Sequence, residues 1–129
     1  MRLFVICVFL AAASCHDAPA PPQRIEGPIP RKLCTEVKGA LDSIAAQGGF
    51  DYKDNGEATI EQAAWLGMGE DQRDSVAHAL GFHASCAAGR QNEAQEIAIR
   101  NDVGLVLMRR LVDTRVDPMT LLQQQGGGR

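Results

Sequence analysis

The chain is 129 residues long, with 13 lysines and arginines against 16 aspartates and glutamates and a formal net charge of −3. That balance argues against a nucleic-acid binder, which would carry a basic footprint. The length allows one modest domain rather than several.

The first element in chain order is an apolar N-terminus. One cation, Arg2, precedes the run Leu3 to Leu10, and the small residues Ala11, Ala12, Ala13 and Ser14 lead to Cys15. A charged start, a short apolar stretch and a small-residue exit form the layout of an export signal. The run falls well short of the roughly 20 residues needed to span a bilayer.

The residues Ala13-Ser14-Cys15 resemble the end of the bacterial lipoprotein signal, in which small residues precede a cysteine that takes a diacylglyceryl group. The resemblance covers residues 1–15 alone, and Ala12 stands where that family usually has leucine. It implies a signal peptide over 1–14, fatty acylation (palmitate or a similar chain) at Cys15, and a protein held on a membrane by lipid. An aspartate directly after the cysteine would favour the inner membrane. His16 occupies that place, so the resemblance implies the outer membrane, with the protein facing the periplasm. The alternative is ordinary cleavage after Ala13, which would release a soluble periplasmic protein.

Residues 15–30 hold five of the six prolines and are expected to form an extended tether. A single globular domain is expected over 31–122. The tail 123–129, Gln-Gln-Gln-Gly-Gly-Gly-Arg, has nothing to bury and is expected to fray.

Within the domain, Leu33, Val37, Leu41 and Ile44 recur at helical steps, and Gly48-Gly49 closes the segment. A second helix is expected from about Glu70 to Ala88, with Gly89 as its stop. Cys34 lies in the first turn of one helix and Cys86 in the last turn of the other, so antiparallel packing would bring the two thiols together. In an oxidising compartment such a pair reads as a disulfide. The sharper alternative, a zinc site of Cys34, His83 and Cys86, lacks a fourth ligand and the tight paired spacing of such sites.

Between the helices, Phe50-Asp51-Tyr52 and Ala58-Thr59-Ile60 flank an Asn55-Gly56 turn signal, which suits a small hairpin. The same stretch partly mimics a calcium-binding loop. Lys53 at its third position and Gln62 at its twelfth decide against that reading. Trp65 reads as a core plug, or else as an exposed partner contact. Glu70, Asp74 and His78 fall four apart on one helix face and are the candidate cation ligands of a metal-binding alternative. Between Asp51 and Asp74 the carboxylates far outnumber Lys53 and Arg73, whereas Arg100, Arg109, Arg110 and Arg115 make the later chain basic. A two-signed surface suits docking to a protein.

After Gly89, Gln95 to Arg100 alternates polar and apolar residues, Asn101 to Gly104 is turn-like, and Leu105 to Asp113 completes a β-hairpin. Arg110 on that second strand is a candidate partner contact. The expected fold is α+β, two helices on a small antiparallel sheet with a C-terminal hairpin; the alternative is mostly α. No nucleophile elbow, phosphate loop, zinc-protease or dinucleotide motif is present. The sequence therefore points to a non-catalytic accessory or structural subunit of an envelope assembly, without cofactor, binding a protein partner of unknown identity. A small-ligand or metal-binding periplasmic protein is the alternative.

Overall fold

A computed structural model describes residues 25–115. The expected signal, Cys15, most of the tether, and the tail lie outside the described residues.

Among the described residues the architecture is α+β: three helices and one four-stranded sheet in the order α1 (Arg31–Ala46), β1 (Phe50–Tyr52), β2 (Glu57–Ile60), α2 (Gln62–Leu66), α3 (Glu70–Ala87), β3 (Gln95–Arg100) and β4 (Val106–Val112). Helix α1 begins directly after Pro30, which is extended at φ −60° and cannot sit inside a helix. Val37 and Leu41 form its buried stripe, with Leu33 and Ile44 packed beside them. Helix α3 opens with Glu70 and Asp71, whose charges suit the positive end of a helix. From Val76 to Ser85 nearly every residue is buried, because α3 runs between the sheet on one side and α1 on the other.

The strands lie in sequence order across the sheet. β1 and β2 pair antiparallel, as do β3 and β4, but the central pair, β2 with β3, is parallel with Glu57 opposite Ala98. The expected purely antiparallel sheet is therefore corrected to a mixed one. Two local hairpins are joined by the crossover through α2 and α3, a connection long enough to return the chain in the same direction.

Residues opposite each other in a ladder share a face. Phe50, Ala58, Ile60, Ile97, Ile99 and Val112 turn to the helices and are buried. The other face is polar: Arg100 meets Glu57 at 3.6 Å and Arg109 meets Glu96 at 3.0 Å. Two close approaches need glycine. Gly56 turns the first hairpin at φ +88°, and a Cβ there would stand 2.7 Å from Glu96 O. Gly81 lets α3 settle on β4.

Residues 25–30, ahead of α1, also belong to the packed fold. Ile25 N–H donates to Arg115 O at 2.6 Å, Ile29 N–H to Arg90 O at 2.9 Å, and Ile29 is 0% exposed within the core. The last part of the expected tether is thus part of the fold. No described helix is long and apolar enough to cross a membrane.

Candidate functional site

The antiparallel packing of α1 and α3 gives the molecule two poles. At one, Cys34 and Cys86 are joined by a disulfide with Cα atoms 5.8 Å apart. Ile25 to Pro30 enters the fold at this end, held through Arg90 and Asn92. At the other lie the end of α1, the helix α2 and the start of α3.

Between the helices, toward this second pole, is a cleft of about 670 Å3. Its floor is Leu41, Phe50, Ile60 and Val76, all buried core residues. Its walls are built largely from small side chains, Ala40 on α1, Ala64 on α2, and Ser75 and Ala79 on α3, and they leave the space open. Ile44 and Met68, both only partly buried, add apolar surface at the mouth. Among the described residues, Asp71 is the single charged one lining it.

A second constellation is polar and runs from the exposed side chains of Lys38, Asp42 and Asp54 through half-buried Tyr52 to buried His83. Lys38 Nζ donates to Asp42 Oδ2 at 2.8 Å, and the Tyr52 hydroxyl donates to Asp42 Oδ1. The lysine holds the Asp42 carboxyl below the ordinary aspartate range, with the tyrosine bond second in effect. Asp42 in turn raises Lys38. Partial burial, followed by the bond to Asp42, raises the Tyr52 phenol. The edge of Tyr52 meets His83, ring centroids 5.2 Å apart. His83 Nε2 is 2.8 Å from Asp54 Oδ1, while His83 Nδ1 is buried without a hydrogen-bond partner. None of these side chains lines the cleft. Their contacts fasten the first hairpin to α1 and α3.

The sequence-predicted residues divide accordingly. Cys34 and Cys86 are bridged to each other, which removes them from a zinc site with His83. Trp65 is a core plug: it is 6% exposed, with the Arg73 guanidinium 4.4 Å over its ring and bonded to its carbonyl. Burial withdraws it as an exposed anchor. Arg110 is exposed and paired with Asp74 at 2.8 Å. Glu70, Asp74 and His78 do not assemble a cation site, and among the described residues no three His, Cys, Asp or Glu side chains are placed to hold a metal ion. The calcium-like loop is flanked by strands rather than helices, and Asn55 Oδ1 is occupied by Glu57 N–H.

No protein-family model, curated protein or solved structure matches this chain. The functional reading rests on its own residues.

Sequence reasoning did not identify Asp54 as the partner of His83, or the cleft. A signal for the cleft exists in retrospect. Ala40 and Ser75 each lie on the apolar side of their helix, where a larger residue would have filled the gap.

Proposed function

We propose that the protein is a non-catalytic accessory subunit of an envelope assembly, held on a membrane by lipid at Cys15 and binding a protein partner through the cleft between α1 and α3. The observation that carries this reading is the position of the cleft. It lies toward the pole away from the Cys34–Cys86 bridge, and the chain leading from Cys15 joins the fold at the bridge end. A domain hung by that end would present the cleft away from the membrane surface. The lining supports binding rather than catalysis, since among the described residues Asp71 is the one ionisable side chain on a largely apolar lining, and no histidine, cysteine or lysine joins it there.

The cleft volume also falls within the range of about 300–1,000 Å3 typical of small-molecule pockets, which makes an apolar ligand the second reading.

The test is crosslinked affinity capture from intact envelopes with a C-terminal tag, comparing the natural sequence with Ser75→Phe, which plugs the cleft, and Cys15→Ser, which removes the acylation site. One envelope protein recovered near stoichiometry and lost with Ser75→Phe is the expected result, together with release of Cys15→Ser into the soluble fraction. Recovery of the bait alone, with an apolar small molecule found by native mass spectrometry, would replace the accessory-subunit reading with the ligand-binding one.

A further inference from the structure

Building on the accessory-subunit reading, we infer that the occupant of the cleft is a basic amphipathic helix of the partner protein. The shape comes first. Two helices already lie on this face of the sheet, α1 toward β1 and α3 toward β3 and β4. Between them the small side chains of Ala40, Ser75 and Ala79 line the space, above a floor that includes Phe50 and Ile60. Helices pack at about 8–10 Å when contact residues are small enough to let them approach. A third helix laid along this cleft would place apolar residues at i, i+3, i+4 and i+7 against Leu41, Ile44, Met68 and Val76, the helix-in-groove mode of recognition.

The charge of the rim sets the flanks of that helix. Asp71 lines the cleft, and Glu70 precedes it in the first turn of α3. Glu61 lies beside Gly49, a lining residue, where a Cβ would be 3.1 Å from its Oε2. No ion pair among the described residues engages Glu61, Glu70 or Asp71. Arg73, in the same stretch of α3, is bonded to the Trp65 carbonyl and stacked over its ring, both neutral partners, and keeps its charge. The negative end of α1 and the positive end of α3 meet at this pole and offset each other, so the three carboxylates, outnumbering Arg73, leave the rim anionic. An anionic rim favours lysines and arginines beside the apolar stripe of the occupant. It disfavours fatty acids and anionic phospholipids, whose headgroups carry the same charge as the rim.

The experiment uses the full chain carrying Cys15→Ser, so that no detergent competes for the cleft, and three synthetic helical peptides of about five turns. One carries a leucine stripe flanked by lysines, one the same stripe flanked by glutamates, and one the lysine composition with the stripe scrambled. Calorimetry is expected to show the lysine peptide binding at one-to-one stoichiometry and at least tenfold tighter than the glutamate peptide. The difference should shrink at high salt. The scrambled peptide should give no stoichiometric heat, and Ser75→Phe should abolish binding. The pair Glu61→Lys and Asp71→Lys lies on exposed positions that leave the core intact, and it should invert the order of the two charged peptides.

Equal binding of lysine and glutamate peptides, or lysine-peptide binding that survives Ser75→Phe, would overturn the inference. So would stoichiometric binding of oleate in place of the peptide, or peptide binding that requires removal of residues 116–129, since the occupant would then be a lipid or the chain's own end. If neither charged peptide binds while envelope capture still yields a partner lost with Ser75→Phe, the basic-helix inference fails and the accessory-subunit reading stands. If capture fails as well, both fall.

Discussion

A Cβ built on Gly81 would lie 2.6 Å from Val112 Cβ, so the contact between α3 and β4 is made at a distance that only a missing side chain permits. Gly81→Ala removes a helix-interior glycine, which by propensity alone returns about 1 kcal/mol. It also forces overpacking, which costs about 1–3 kcal/mol where the neighbours are held. Val112 is 3% exposed on a paired strand and cannot swing aside. A net loss of up to about 2 kcal/mol is expected in urea denaturation, shrinking when Gly81→Ala is made in a Val112→Ala background. Stabilisation by Gly81→Ala would show that α3 can move off the sheet.

Asp54 is 79% exposed at its side chain, and exposure alone would rank it among the tolerant positions. Its partner changes that ranking. The His83 side chain is 7% exposed and its Nδ1 has no partner, so Asp54 is the ring's one polar contact. Asp54→Ala would remove the one hydrogen bond of a largely buried ring, at a cost of about 1 kcal/mol. The neutral ring should carry its proton on Nε2, because the reverse arrangement buries an N–H with no acceptor. Nitrogen chemical shifts report the tautomer directly, and an Nδ1-protonated ring would contradict the geometry.

The Cys34–Cys86 bridge spans a sequence separation of 52 in a small domain. On the chain-entropy account a loop of that size contributes about 4 kcal/mol. Reduction, or Cys34→Ser with Cys86→Ser, should lower Tm by roughly 15–30 °C. Calorimetry with and without reductant measures this, and a shift of only a few degrees would mean that the unfolded chain is already compact across the same loop.

The Lys38–Asp42–Tyr52 cluster gives stability a defined pH window. Asp42 is lowered by Lys38 and then Tyr52, so its contribution is present above the ordinary aspartate pKa and is lost as pH falls through the lowered value. Tyr52 is raised by burial and then Asp42, and Lys38 by its bond to Asp42; their contributions are present below their ordinary pKa values and are lost as pH rises through the raised ones. Denaturation midpoints should therefore decline at both extremes. Asp42→Asn should flatten the acid limb, and Tyr52→Phe should reduce the alkaline one. Unchanged limbs in both variants would show that the cluster is not linked to folding.

Periodicity made α1 and α3 legible, whereas the five-residue α2, too short to show a period, was not expected. The apolar steps from Leu33 to Ile44 and the stops at Gly48 and Gly89 correspond to α1 and α3 within a residue or two, and the hairpin of β3 and β4 falls where alternation placed it. The direction of the central strand pair was not legible, because alternation in Glu57–Ile60 and Gln95–Arg100 says which residues face inward but not which way a neighbour runs. The prolines of Ile25 to Pro30 dominate its pattern and suggest a leash, yet Ile29 is buried in the core, Ile25 packs against it, and hydrogen bonds to Arg90, Asn92 and Arg115 hold the segment. The His83–Asp54 contact joins residues 29 apart through the turn of the first hairpin, and no local pattern announces it. The cleft is a property of two helices together, visible only once Ala40 and Ser75 are set across from each other.

The parallel seam between β2 and β3 also dictates a sequence of events. Each hairpin closes over a short loop, but Glu57 reaches Ala98 only after the whole of α2 and α3 has been gathered in. Loop closure at that separation is the slow part of assembling such a topology. Substitutions along the seam, at Ala58 or Ile99, should slow refolding, whereas those at the hairpin tips, at Asn55 or Asn101, should chiefly hasten unfolding. A nascent molecule halted before the seam closes would hold two ribbons with uncovered inner edges, and for that interval it would be most exposed to proteases and to other chains.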